Sequence, residues 1–70
     1  MPHVIVQLLE GRTIEQKRAT AKAMTDALIE HCGANRESVV VVFDDIPRDS
    51  WMRAGLLVAD REGAPTQTGR

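Results

Sequence analysis

The sequence predicts an α/β fold: a β-α-β protomer with two parallel strands and a short C-terminal strand or hairpin, assembled into a symmetric oligomer. Three observations predict it. A β-branched apolar run, a capped amphipathic segment and a second apolar run follow one another within 70 residues. The second run, Val39 to Phe43, is apolar at every position, so both faces of its strand need cover and one helix covers only one. The chain is also too short to build a strong core alone, and its single cysteine, Cys32, excludes an internal disulfide. Self-association is the remedy left.

The elements follow in order. His3 to Leu9 (His-Val-Ile-Val-Gln-Leu-Leu) is apolar and β-branched, the signature of a strand. Glu10-Gly11-Arg12 is a turn punctuated by Gly11. Thr13 with Gln16 three residues on forms a capping box, and the helix is expected from about Ile14 to Cys32. Ile14, Ala21, Met24, Ala27, Leu28 and Cys32 are expected on its inner face, with Cys32 packed as a small hydrophobe. Glu15, Lys17, Arg18, Lys22, Asp26 and Glu30 are expected mostly on the opposite side, and Gly33 suits the position after the last turn. Asn35-Arg36-Glu37 opens a short turn, and Ser38 to Phe43 is the second strand. Asp44 to Ser50 is polar, contains Pro47 and reads as a loop. Trp51 to Gly55 leads into Leu56 to Ala59, a short strand. Residues 1–61 are thus expected as one domain. Residues 62–70 hold little that can pack and are expected as a mobile tail, or one ordered only on a neighbouring subunit.

Composition narrows the function classes. The formal net charge of −1, without a Lys/Arg run, gives no electrostatic footprint for nucleic acid. No apolar stretch reaches the ~18 residues of a membrane span. The N-terminus, Met-Pro-His-Val-Ile-Val, lacks the basic region of a signal peptide, and a cytoplasmic protein is expected. His3, His31 and Cys32 do not fall at metal-ligand spacing, so no metal is expected, and no cofactor either. Asp44 and Asp45 are neighbours at a strand end and face opposite ways, which argues against a carboxylate pair.

Residues 2 to 60 resemble the 4-oxalocrotonate tautomerase family. The likeness rests on Met-Pro before an apolar strand, then Leu9-Glu10-Gly11-Arg12-Thr13-x-Glu15-Gln16-Lys17-Arg18. It continues through Ser38-Val39-Val40-Val41, an acidic pair, Trp51 and Gly55. Many proteins begin Met-Pro; the Glu10-Gly11-Arg12 turn at its fixed distance from Pro2 is the more specific signal. The resemblance implies a protomer that pairs with a second into a four-stranded sheet under two helices. Dimers then assemble into a hexamer, a trimer of dimers.

It also implies a site. Once Met1 is removed, Pro2 presents a secondary amine. Free α-amino groups titrate near ~7.7–8.0, and an apolar, cation-flanked pocket lowers that value toward neutrality. Such a base suits proton abstraction and return during keto–enol tautomerisation. Arg12 is implied to hold a substrate carboxylate, usually across a subunit boundary, where a planar guanidinium gives a bidentate contact. Trp51 is implied to wall the pocket and exclude water. The implied substrate is a 2-hydroxydienoate or another enol of a 2-keto acid, of the kind met in aromatic compound degradation.

One position departs from the family. The best-studied tautomerases carry a second arginine early in the second strand, which polarises the substrate carbonyl; here that place is Val40. Arg53 and Arg48, near Trp51 in sequence, are the candidate substitutes; a solvated loop arginine or an intersubunit ion pair is the alternative reading of each. Two other readings bear on the same residues. A dehalogenase or hydratase of this superfamily would need a water-activating acid after the aromatic residue, where Met52-Arg53-Ala54 has none. A non-enzymatic oligomeric module with a degenerate pocket would account for Val40.

Overall fold

The computed structural model describes residues 1–61; the expected tail, 62–70, lies outside the described residues. Strand β1 (His3–Leu9) leads through the Glu10-Gly11-Arg12 turn into helix α1 (Ile14–Cys32). The Thr13 hydroxyl accepts from the Gln16 N–H at 3.1 Å and the Gln16 side chain accepts from the Thr13 N–H at 2.9 Å, so the capping box forms as the sequence predicts. Gly33 ends the helix in the left-handed region at φ 70°, its N–H donating back to the Ile29 carbonyl at 3.2 Å.

Strand β2 (Val40–Ile46) returns parallel to β1, in register from His3 beside Val40 to Leu9 beside Ile46. This corrects the expected Ser38 to Phe43 at both ends. The Asn35 side chain caps a 3-10 turn over Arg36–Ser38, which takes Ser38 out of the strand. At the other end, Asp44, Asp45 and Ile46 are strand and not loop. Each acid has a donor there: Gln7 Nε2 donates to Asp44 Oδ2 at 3.2 Å, and Lys17 Nζ meets Asp45 Oδ2 at 2.5 Å. The two acids thus do face opposite sides of the sheet.

After a 3-10 turn at Arg48–Ser50, strands β3 (Met52–Arg53) and β4 (Leu56–Leu57) make an antiparallel hairpin. Its two loop residues, Ala54 and Gly55, both have positive φ, 54° and 78°, as a two-residue turn of this kind requires. The expected strand over Leu56 to Ala59 is therefore shorter, and Val58–Arg61 winds into a 3-10 helix instead.

Alternation along the strands sorts the sheet into two faces. Val4, Val6 and Leu8 of β1 and Val41 and Phe43 of β2 are half-buried on the α1 side. His3, Ile5, Gln7, Val40, Val42 and Asp44 occupy the other side, which none of the described elements covers; Ile5 is 67% exposed and Val42 43%. Among the described residues no side chain is fully buried.

The helix face also needs correction. Its half-buried positions are Lys17, Ala21, Met24, Thr25, Asp26, Leu28 and Ile29, among which Lys17, Ala21, Met24 and Leu28 form a stripe at spacings of four, three and four. Ile14, Ala27 and Cys32 are exposed. Lys17 was expected on the solvated side; its aliphatic stem lies against the sheet while its ammonium reaches Asp45.

Candidate active site

Pro2 sits just ahead of β1, half-buried like Val4, Val6 and Leu8 further along, and its carbonyl accepts from the Val40 N–H at 3.0 Å. That bond seats Pro2 against the start of β2. Met1 before it is 91% exposed, so the Met1–Pro2 bond is accessible. With Met1 attached the Pro2 nitrogen is a tertiary amide without basicity.

Arg12 lies at the far end of the strand, in the turn after Leu9. It is half-buried on the rim of a cleft between the start of α1 and the sheet. Val6, Leu8 and Phe43 supply the apolar lining of this cleft, and Gln16, Lys17 and Thr20 join Arg12 as its polar lining. The sequence singled out Arg12 alone of these. Gln16, Lys17 and Thr20 were missed; the four-three-four spacing that begins at Lys17 is the signal that places it inward.

The segment carrying Trp51 belongs to the same end of the molecule. The Glu10 N–H donates to the Ile46 carbonyl at 3.0 Å, and the Arg48 N–H donates to Glu10 Oε2 at 3.4 Å, which ties the loop after β2 to the Arg12 turn. Trp51 is half-buried, and its carbonyl accepts from the Val58 N–H at 2.9 Å, closing the hairpin base. Arg53 is exposed on β3 beside Leu56, and Arg48 is half-buried.

One chain therefore does not bring its site residues together. β1 has seven residues, so roughly 20 Å of extended chain separates Pro2 from Arg12. Val40 lies on the uncovered sheet face with Ile5 and Val42, the side away from the Arg12 cleft. Among the described residues no group of three or more His, Cys, Asp and Glu side chains is placed to hold a metal ion. Nor is any described helix long and apolar enough to cross a membrane.

The sequence model of one protein family, described as tautomerase enzyme, matches residues 2–61. This chain belongs to the tautomerase family. It is an isomerase by that membership. A 2-hydroxymuconate tautomerase of Bacillus subtilis is 42% identical over 62 residues, 89% of this tautomerase and 100% of the relative. The crystal structure of a 4-oxalocrotonate tautomerase homologue superposes with a TM-score of 0.83 at 35% identity, covering 86% of this chain and 95% of the other. A heterohexameric 4-oxalocrotonate tautomerase from Chloroflexus aurantiacus gives a TM-score of 0.80 at 27% identity over 86% and 97% of the two chains. The β-α-β unit with its parallel strands and C-terminal hairpin is thus the fold of this family.

Proposed function

We propose that this tautomerase converts 2-hydroxydienoates, or other enols of 2-keto acids, to their ketones, with the Pro2 amine as both base and acid. The observation that carries the reading is the family match beginning at Pro2, the residue that removal of the exposed Met1 makes N-terminal. Support for the substrate class comes from the 42% identity to a 2-hydroxymuconate tautomerase and from the cationic, apolar-lined cleft at Arg12.

In this mechanism Arg12 holds the substrate carboxylate. The Pro2 nitrogen takes the enol O–H proton as the carbonyl forms, and the resulting ammonium returns a proton to carbon, so protons balance without a cofactor. Trp51 shields the pocket from water, which favours the neutral amine. Arg53 stands in for the polarising cation that Val40 does not provide. The site is completed by self-association, with a hexamer of three dimers as the assembly. Supporting this are the separation of Pro2 from Arg12 within one chain, the uncovered Ile5–Val42 face and the hexameric state of the Chloroflexus relative.

The test is an ultraviolet assay of 2-hydroxymuconate and phenylenolpyruvate ketonisation on protein whose loss of Met1 is checked by intact mass. Wild type should exceed the buffer rate. Pro2→Ala should lose about 10²–10⁴-fold in kcat, the usual contribution of a positioned general base. Arg12→Ala should lose mainly in KM. A Met1-free wild type at the buffer rate overturns the reading.

A further inference from the structure

Lys17 occupies a place in the helix that packing alone does not explain. It begins the inner stripe that continues through Ala21, Met24 and Leu28, where an apolar side chain would pack against the sheet. Its side chain is 26% exposed and lines the Arg12 cleft. Cleft-lining residues include two cations, Arg12 and Lys17, and no carboxylate. The anion that meets Lys17 is Asp45, two residues beyond Phe43 on β2 and outside the cleft lining, with its side chain 42% exposed.

We propose that Lys17 is a second substrate-binding cation, and that Asp45 is an internal competitor that occupies its ammonium while the cleft is empty. This deepens the function proposed above and rests on it. A partly exposed ion pair holds its partners weakly, so an incoming carboxylate can displace Asp45 from Lys17 at small cost. The carboxylate then gains a charge-assisted hydrogen bond beside the one from Arg12, over the apolar floor of Val6, Leu8 and Phe43. The ligand class is an anionic acid whose carboxylate ends an apolar carbon chain.

Two variants should move in opposite directions. A merely structural bridge between α1 and β2 would weaken alike from either side. Competition makes Lys17→Gln weaken substrate binding and Asp45→Asn strengthen it. Steady-state kinetics on the assembled enzyme should show KM rising about tenfold in Lys17→Gln, the usual loss for a hydrogen bond to a charged group, with kcat little changed. Lys17→Arg should restore KM, and Asp45→Asn should lower it severalfold. Calorimetric titration with adipate, an unreactive dicarboxylate, gives the second readout. Wild type should bind it, Lys17→Gln less tightly and Asp45→Asn more tightly. The proposal is overturned if wild type does not bind adipate, or if the two variants shift binding in the same direction or not at all. Failure of the tautomerase reading looks different: Met1-free wild type would match the buffer rate while adipate binding still followed the charge at positions 17 and 45.

Discussion

Pro2 and Arg12 stand at opposite ends of β1, one before His3 and the other beyond Leu9, so a single protomer cannot place both on one small substrate. A second copy running antiparallel beside β1 would bring its Arg12 to the Pro2 end. That arrangement predicts complementation. Pro2→Ala and Arg12→Ala should each be slow alone at substrate concentrations below KM, yet an equal mixture dissociated and reassembled should regain activity. Random pairing across a two-fold interface restores about a quarter of the sites. The check is the specific activity of the mixture against its two parents; a mixture no better than either would place the two residues' roles within one subunit.

The uncovered sheet face leads to a second prediction. Ile5 and Val42 lie on it in adjacent strands, register partners that the helix does not reach. An exposed apolar face of this kind, among described residues of which none is fully buried, is the mark of an interaction surface. Val42→Asp should place a charge where assembly needs an apolar contact and shift the protein to smaller species. Sedimentation velocity reads the species directly, and the shared-site arrangement requires that activity fall with it.

Much of this fold is written locally. The capping box at Thr13 and Gln16, Gly33 and the apolar run of β1 each act within a few residues, so β1 and α1 begin and end where the sequence places them. The far end of β2 is set by partners distant in the chain. Gln7 is 37 positions from Asp44 and Lys17 is 28 from Asp45, and those contacts turn an acidic stretch from loop into strand. The same long-range pairing hides the inward turn of Lys17, because a lysine reads as solvated until its acid is found. Pro2, Arg12 and Trp51 were legible through family resemblance. The same resemblance implies that Arg12 acts across a subunit boundary, and the seven residues of β1 between Pro2 and Arg12 are what such an arrangement would have to span.

Asp26 supplies a pH-dependent test of how α1 is held. Lys22 Nζ donates to it at 2.8 Å and Arg36 Nη2 at 2.7 Å, joining the helix to the 3-10 turn before β2. The Lys22 hydrogen bond, and then that of Arg36, holds the Asp26 carboxyl below its ordinary value of 3.8. Because the folded value is the lower one, the contribution is present above the ordinary value and fades as pH falls through the folded value. Asp26→Asn should therefore melt slightly below wild type at pH 7, and the gap should shrink on acidification toward pH 3. Thermal melts of both proteins at the two pH values check this; a gap that persists in acid would assign the loss to geometry rather than charge.

Ala54 carries backbone strain that a substitution can relieve. It is the only described non-glycine residue at positive φ, 54°, and it shares the two-residue β3–β4 turn with Gly55. An L-residue in this left-handed region costs about 1–2 kcal/mol because Cβ crowds the following carbonyl. Glycine removes that crowding at the cost of greater chain freedom when unfolded, about 0.5–1 kcal/mol. Asparagine tolerates the conformation while keeping a side chain. Ala54→Asn should therefore stabilise the hairpin more than Ala54→Gly, by up to about 1 kcal/mol over wild type. The order Asn above Gly above Ala in denaturant midpoints at fixed protein concentration is the expected result. Because the hairpin follows Trp51 directly, its firmer closure should also lower KM in Ala54→Asn if Trp51 walls the pocket. Unchanged kinetics in a stabilised variant would separate the hairpin from substrate binding and leave Trp51 with a packing role.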